Sequence, residues 1–267
     1  MLDPQDLGQW QSDGHWTSGV VFGTARLECL RDHFDRLFQG QYDLGGQPMV
    51  DPHHRRGDVR SIQNIDNAHW ADSAFRDLAR DETIGAIAAD LLGVYTVRLW
   101  ASQALVKPGA GAEGGEVGWH QDMTFWQCAH PADLLTAWLP LEDVDETNGC
   151  LQFVPGSHRW GLTSEQYFFS RPSASQLSAL AGESGSQVVQ KCPMAAGQVS
   201  FHHCLTLHAS GPNYRQRPRR AISIHLMAGH VAYKSGSSCD LHVNARLLRG
   251  RDGYPYSGDF FPVIYAR

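Results

Sequence analysis

The stretch Trp119-His120-Gln121-Asp122 follows a glycine-rich run, Gly109 to Gly118, and precedes the apolar residues Met123, Phe125 and Trp126. His120 and Asp122 are two positions apart. On an extended strand, residues i and i+2 project from the same face. An imidazole and a carboxylate then aim at one point, as two members of a 2-His-1-carboxylate triad that holds Fe(II) and leaves positions open. The chain contains 14 His and 28 Asp plus Glu, so a chance His-x-Asp is also expected. A strand end with a polar face would look the same.

A second stretch narrows the choice. In Leu205-Thr206-Leu207-His208-Ala209-Ser210, the residues Leu205, Leu207 and Ala209 alternate with Thr206, His208 and Ser210. That period belongs to a strand with one apolar and one polar face. His208 lies on the polar face beside Ser210. His202 and His203 are its rivals as a third ligand, but they follow Val199-Ser200-Phe201 and lack a polar partner face. Arg219 comes eleven residues after His208, at the head of Arg219-Arg220-Ala221-Ile222-Ser223-Ile224. Arg219 is in phase with Ala221, Ser223 and His225. Arg220 is in phase with Ile222, Ile224 and Leu226, so it is expected to point away, its stem over apolar surface and its charge in solvent.

Around these stretches the pattern is strands and turns. Val94 to Val106, Leu134 to Leu141, Cys150 to Val154, Val188 to Cys192, Gln198 to Phe201, Leu205 to Ser210 and Arg220 to Met227 read as strands. Turn residues such as Thr147-Asn148-Gly149 and Pro155-Gly156-Ser157 separate them. Upstream the period is helical. Asp3-Pro4 opens a short helix that Gly14 ends, Thr24 to Phe38 is a longer one, and Ser73 to Leu92 reads as two helices closed by Gly93. The order predicts a single domain, with a mainly helical part over 1–93 and a jelly-roll core over 94–267. That core is a double-stranded, cupin-like β-barrel flanked by helices. An insertion of about 159–186 is expected to interrupt it, with Ser170 to Ser186 as a lid or surface loop. Gly45 to Asp58 reads as a polar loop that could cover a site.

Composition excludes some classes. A formal charge of −6 argues against nucleic acid as the main partner. No apolar run approaches the length of a membrane helix. The N-terminus has no signal-peptide pattern and the C-terminus no usual peroxisomal signal. The six cysteines are scattered, without a Cys-x-x-Cys pair, which fits a reducing cytoplasm. Oligomeric state is not readable.

The sequence resembles the phytanoyl-CoA dioxygenase family of Fe(II)- and 2-oxoglutarate-dependent oxygenases. Three pieces carry the resemblance in this order: Gly118-Trp119-His120-Gln121-Asp122; Thr147-Asn148-Gly149-Cys150-Leu151 with Val154-Pro155-Gly156-Ser157-His158; and His208-Ala209-Ser210-Gly211-Pro212-Asn213 with Arg219-Arg220-Ala221. It implies Fe(II) on His120, Asp122 and His208, with 2-oxoglutarate and O2 as cosubstrates. It also selects Arg219 for the distal carboxylate of 2-oxoglutarate, which a planar guanidinium can bond in two places. Ser210 is placed to add a hydroxyl donor. By the same resemblance, Trp138 and Gln103 line the 2-oxoglutarate pocket. Trp138 alternates with Leu135, Ala137 and Leu139, so it faces the barrel interior.

The resulting expectation is a small-molecule hydroxylase that releases succinate and CO2. Its substrate would be an acyl thioester, an amino acid or a secondary metabolite. Phe125, Trp126 and Arg60 are candidate substrate contacts, and Arg55, Arg56 and Arg215 a basic patch for a thioester. A desaturating or cyclising outcome shares the same site. A halogenase would need Gly or Ala where Asp122 stands. A non-catalytic cupin-like barrel would need a broken triad or a missing Arg, and a zinc hydrolase would not need Arg219.

Overall fold

The structure is a computed structural model, and it describes residues 2–49, 62–110, 115–164, 167, 170–181, 188–248 and 251–267. The elements run α1 (Pro4–Asp13), β1 (His15–Val20), α2 (Thr24–Phe38), β2 (Gln63–Asp66), α3 (Ser73–Ala79), α4 (Glu82–Leu92), β3 (Thr96–Lys107) and β4 (Val117–His120). They continue as β5 (Ala129–His130), β6 (Leu134–Pro140), β7 (Leu151–Phe153), α5 (Ala174–Ala181), β8 (Gln190–Cys192), β9 (Gln198–His203) and β10 (His208–Ser210). The chain closes with β11 (Arg219–Ala228), β12 (Ala232–Tyr233), α6 (Val243–Leu248) and β13 (Val263–Ala266).

The helix boundaries follow their caps. Asp3 accepts from the backbone of Gln5 and Asp6, and Asp6 returns a bond to the Asp3 backbone, a reciprocal box that starts α1. Asp81 starts α4 by accepting from the backbone of Thr83 and Ile84, and Gly93 ends it in the left-handed region at φ 67°. Buried Leu27, Leu30, Phe34 and Leu37 of α2 repeat at helical spacing.

Two antiparallel sheets face each other. The major sheet has seven strands, in the order β1-β9-β6-β11-β3-β13 with β2 also paired to β3; the minor sheet is β4-β10-β7-β8. Both have open edges, so the jelly roll is a sandwich rather than a closed barrel. Helices α1 to α4 cover the outer face of the major sheet. Leu135, Ala137 and Leu139 of β6 and Ile222, Ile224 and Leu226 of β11 pack there with Leu30, Phe34, Phe75 and Ile84. The alternate residues of these strands face the minor sheet and line the cavity between the sheets. Each strand is thus apolar outward and functional inward.

Several expectations change. Strands β1 and β2 lie inside the part read as mainly helical; both sit outermost in the major sheet, where fewer neighbours impose an apolar pattern. The strand read over Leu205 to Ser210 is ordered as strand only from His208. Before that, the chain bonds to loops: the Thr206 hydroxyl donates to the Gly14 carbonyl (2.7 Å) and the Leu207 amide to the Ser157 hydroxyl (2.8 Å). Within the insertion, α5 buries Leu177 and Leu180 against Trp119, Val154 and Leu207, beneath the minor sheet. Most of the Gly45 to Asp58 loop, with Arg55, Arg56 and Arg60, lies outside the described residues.

Candidate functional site

Strands β4 and β10 pair so that His120 and His208 stand directly opposite each other. Gly118 lets the Tyr167 backbone pack directly against β4, because a Cβ there would meet the Tyr167 carbonyl oxygen at 1.9 Å. Strand β4 ends at His120. Asp122 instead opens a short 3-10 turn, so the two residues do not share one strand as their spacing suggested. The i, i+2 relation survives because Gln121 keeps an extended backbone (φ −116°, ψ 135°). The Gln121 side chain leaves on the other face. Its amide donates to the carbonyls of Gly161 (2.9 Å) and Leu205 (2.7 Å), and its oxygen accepts from the Thr163 amide (2.8 Å).

The ligand atoms of His120, Asp122 and His208 all lie within 4.8 Å of one another, and all three residues are buried. Asp122 Oδ1 is 3.7 Å from each histidine Nε2. Both rings have a fixed tautomer. The Nδ1–H of His120 donates to the Gly118 carbonyl (2.8 Å) and that of His208 to the Thr206 carbonyl (2.9 Å). Each Nε2 is therefore the lone-pair nitrogen, aimed inward, as metal ligation requires. Burial lowers both histidine pKa values, that of His208 to about 4, which keeps the rings neutral. Burial alone would raise the Asp122 carboxyl, but His208 and His202 beside it hold it well below the usual range. A neutral imidazole pair facing a carboxylate is the donor set of a divalent transition metal, so the residues fit Fe(II).

Asp122 Oδ2 is already engaged. The Thr136 hydroxyl donates to it at 2.6 Å, and His202 Nε2 lies 3.3 Å away. His202 is thus in the site wall, but it meets the far carboxylate oxygen and lies outside the three-ligand cluster. Cross-strand register explains the arrangement, because residues directly opposite share a face. His202, Thr136 and His225 are in register across β9, β6 and β11; Trp138, Ser223, Gln103 and Asp66 form the adjacent row across β6, β11, β3 and β2.

The remaining sequence-derived residues also reach the cavity, whose volume is about 360 Å³. Arg219 is buried, and among the described residues its Nε and Nη1 have no hydrogen-bond partner. Its guanidinium carbon lies 5.0 Å from the centroid of Trp138, a cation–π contact. Burial lowers the Arg219 pKa to about 10, still high enough to keep its charge. Ser210 lines the cavity, but its hydroxyl donates to the Gly149 carbonyl (2.9 Å), so toward a ligand it is an acceptor rather than the expected donor. Gln103 donates to Asp66 (2.8 Å) and faces His225 Nε2 (3.3 Å). Arg220 points away from the cavity as its phase required. Its charge is not in solvent, however: it pairs with Glu142 and Asp35. Arg215 pairs with Asp145 at the surface, so it is not an open phosphate contact.

Sequence reasoning missed Thr136, His225, Asp66 and Lys107. Thr136 and His225 were visible as inward-phased residues, but only register reveals that they meet. Lys107 is fully buried and donates to the carbonyls of Gly115 (2.6 Å), Ser210 (3.3 Å) and Gly211 (2.6 Å), clamping the end of β10 beside Arg219.

Fold and site together define a jelly-roll protein with a His-x-Asp…His cluster at one end of its cavity and a buried arginine lining the same cavity. The chain belongs to the phytanoyl-CoA dioxygenase (PhyH) family, whose profile matches residues 10–221. It is similar to phytanoyl-CoA dioxygenase domain-containing protein 1 of Mus musculus, at 29% identity over 192 residues, 71% of this chain and 63% of that protein. The chain therefore spans less than two-thirds of that relative's length. Among solved structures it shares its fold with the non-heme alpha ketoglutarate dependent carbocyclase SnoK from nogalamycin biosynthesis (TM-score 0.77, 23% identity, 98% of this chain and 96% of that one). The epimerase SnoN, solved with Fe3+, alpha ketoglutarate and nogalamycin RO, matches with a TM-score of 0.74 at 24% identity over 97% of each chain.

Proposed function

We propose that this protein is an Fe(II)- and 2-oxoglutarate-dependent oxygenase that hydroxylates an unactivated C–H bond of a small molecule. The observation that carries this reading is one cavity with two unequal ends. Three neutral or anionic ligand atoms converge at one, and a buried guanidinium whose Nε and Nη1 have no partner among the described residues waits at the other. His120, Asp122 and His208 hold the metal. Arg219 bonds the distal carboxylate of 2-oxoglutarate and Trp138 flanks it, with Ser210 and Gln103 in the surrounding wall. Bound iron with 2-oxoglutarate and O2 supplies the oxidising power for C–H cleavage, and 2-oxoglutarate leaves as succinate and CO2. The protein's part is to orient the cosubstrate, keep Asp122 ionised and exclude water. Family membership and the ligands named for SnoN support the assignment.

A second outcome on the same site is cyclisation or another non-hydroxylating oxidation, favoured by the carbocyclase and epimerase among the fold neighbours. The test of the main reading is an anaerobic titration with iron(II) and then 2-oxoglutarate. One iron per chain and a weak visible charge-transfer band are expected, followed in air by succinate release. Preference for zinc with no band would sink the oxygenase reading. Mass analysis of the product separates hydroxylation, a gain of one oxygen atom, from cyclisation or desaturation, a loss of two hydrogens.

A further inference from the structure

We propose that the wall formed by Asp66, Gln103 and His225 selects a substrate carrying a protonated nitrogen with at least two N–H donors, an ammonium or amidinium. This deepens the oxygenase reading and rests on it.

The argument begins with which atoms can donate. A carboxylate accepts only, so the Gln103 amide N–H must donate to Asp66 Oδ1, at 2.8 Å; the Asn64 amide donates to the same oxygen at 2.9 Å. Gln103 Oε1 is thereby turned toward His225 Nε2, 3.3 Å away. On the other side of the ring, Asp122 also accepts only. The single Thr136 proton goes to Asp122 Oδ2 (2.6 Å), so Thr136 Oγ1 accepts the Nδ1–H of His225 (2.8 Å). A neutral His225 then has a lone pair on Nε2, facing the lone pairs of Gln103 Oε1. Two acceptors oppose each other in the cavity wall, beside a carboxylate that has no ion pair among the described residues.

Such a contact is unfavourable until a donor enters it, because buried acceptors left unsatisfied are costly. Protonating the ring would supply one, but burial pushes His225 down to about 4. A ligand with two N–H groups and a positive charge satisfies Gln103 and His225 together and compensates Asp66. A single hydroxyl satisfies one acceptor and leaves the carboxylate unmatched. An anionic group meets Asp66 as a like charge. Phe125 and Trp126 line the same cavity, and aromatic surfaces favour a cation. The cavity thus has opposite signs in two places, with Arg219 serving the anionic cosubstrate and Asp66 the cationic substrate.

The experiment uses the full chain loaded with iron(II) and 2-oxoglutarate. Small primary amines, secondary amines and amidines are each supplied beside the uncharged N-acetyl derivative and a carboxylate of similar size. Succinate release is expressed as the ratio to the substrate-free rate of the same protein. At least one amine or amidine is expected to raise that ratio more than tenfold while its N-acetyl and carboxylate counterparts do not. The Asp66→Asn protein, similar in shape, is expected to lose at least tenfold of the apparent affinity for that amine. Calorimetric binding of the same amine and its N-acetyl form to the anaerobic wild-type complex gives a readout that needs no variant. Equal or better stimulation by a neutral or anionic compound, no stimulation by any amine, or undiminished affinity in Asp66→Asn overturns the proposal. Absence of both the charge-transfer band and substrate-free succinate release would instead overturn the oxygenase reading beneath it.

Discussion

The two ends of the cavity are supported in opposite ways. At the ligand cluster every functional group has a second partner: His120 on Gly118, His208 on Thr206, Asp122 on Thr136. At the other end Arg219 is buried, two of its nitrogens have no hydrogen-bond partner among the described residues, and the Trp138 ring and Lys107 lie beside it. The first end is preorganised. Its geometry is fixed before anything binds, and strand ends suffice because carbonyls and a hydroxyl orient each side chain. The second end stores an unfavourable arrangement, since a buried cation with no ion pair among the described residues costs free energy. Its rigidity comes from the ten-residue strand β11, paired on both sides. The contrast means that substitutions at the two ends should separate metal binding from cosubstrate binding.

The largest effect is expected at the cluster. Asp122→Ala removes the carboxylate from between two neutral imidazoles. Outer-shell losses alone cost 10–100-fold, so if Asp122 is a metal ligand its loss should lower turnover by more than about 100-fold while leaving Arg219 able to hold 2-oxoglutarate. Succinate and product formation, with calorimetry for 2-oxoglutarate, check this. Full activity would show that Asp122 is not a ligand, and Glu116 would have to be considered.

At the opposite end the comparison predicts a dissociation of function from stability. Arg219→Ala should raise the 2-oxoglutarate requirement by more than tenfold, since a charge-assisted bidentate pair contributes on the order of 2–3 kcal/mol. Iron(II) affinity measured without 2-oxoglutarate should barely change. Because the wild-type cation is buried with no ion pair among the described residues, Arg219→Met should leave the melting temperature of the metal-free protein unchanged or higher. A large fall would mean that the guanidinium supports the fold.

How far these ends were legible follows from their chemistry. His120, His208 and Arg219 are specific residue types on strands, Asp122 follows His120 by two positions through the extended Gln121, and such spacing is a local property of sequence. The inward facing of Trp138, Ser223 and His225 came from strand alternation. Thr136, His202 and Asp66 carry no local signal of their role. They matter because β9, β6, β11, β3 and β2 pair in one particular register, and register links residues from 37 (Asp66 and Gln103) to 120 (Gln103 and Ser223) positions apart. Likewise β1 and β2 were missed because outer strands need little apolar pattern. The role of Ser210 was misjudged for a different reason: its partner, the Gly149 carbonyl, is backbone and leaves no trace in the sequence.

A milder break is expected one shell out from the cluster. Thr136→Val keeps the shape but removes the proton donated to Asp122 Oδ2, leaving His202 as that oxygen's partner among the described residues. Iron(II) affinity should fall by about tenfold, the low end of outer-shell effects, with 2-oxoglutarate affinity of the iron-loaded protein changed much less. A metal titration followed by fluorescence or calorimetry measures both. An unchanged iron affinity would mean that Thr136 serves packing rather than Asp122.

The smallest effect on cosubstrate binding sharpens the comparison most, because it tests the register on which the Arg219 end depends. Arg219 and Arg220 are neighbours on β11 with opposite surroundings. Ile222, Ile224 and Leu226, in phase with Arg220, belong to the helix-covered core, while Ser223 and His225, in phase with Arg219, line the cavity. Arg220 reaches Glu142 through its Nε (2.7 Å) and Asp35 through Nη1 (2.8 Å), so it ties β11 to the following edge of β6 and to α2. Arg220→Ala should therefore change the 2-oxoglutarate requirement by less than about threefold. It should lower stability by about 1 kcal/mol, the upper range for a partly exposed ion-pair network. Succinate formed against 2-oxoglutarate concentration reads the first, and urea unfolding the second. If Arg220→Ala instead impaired 2-oxoglutarate use more than Arg219→Ala, β11 would be displaced by one residue. Every facing along it would invert, since a slip of one moves each side chain to the other face of the sheet. Ser223 and His225 would then leave the cavity, and the acceptor pair proposed to select the substrate would go with them.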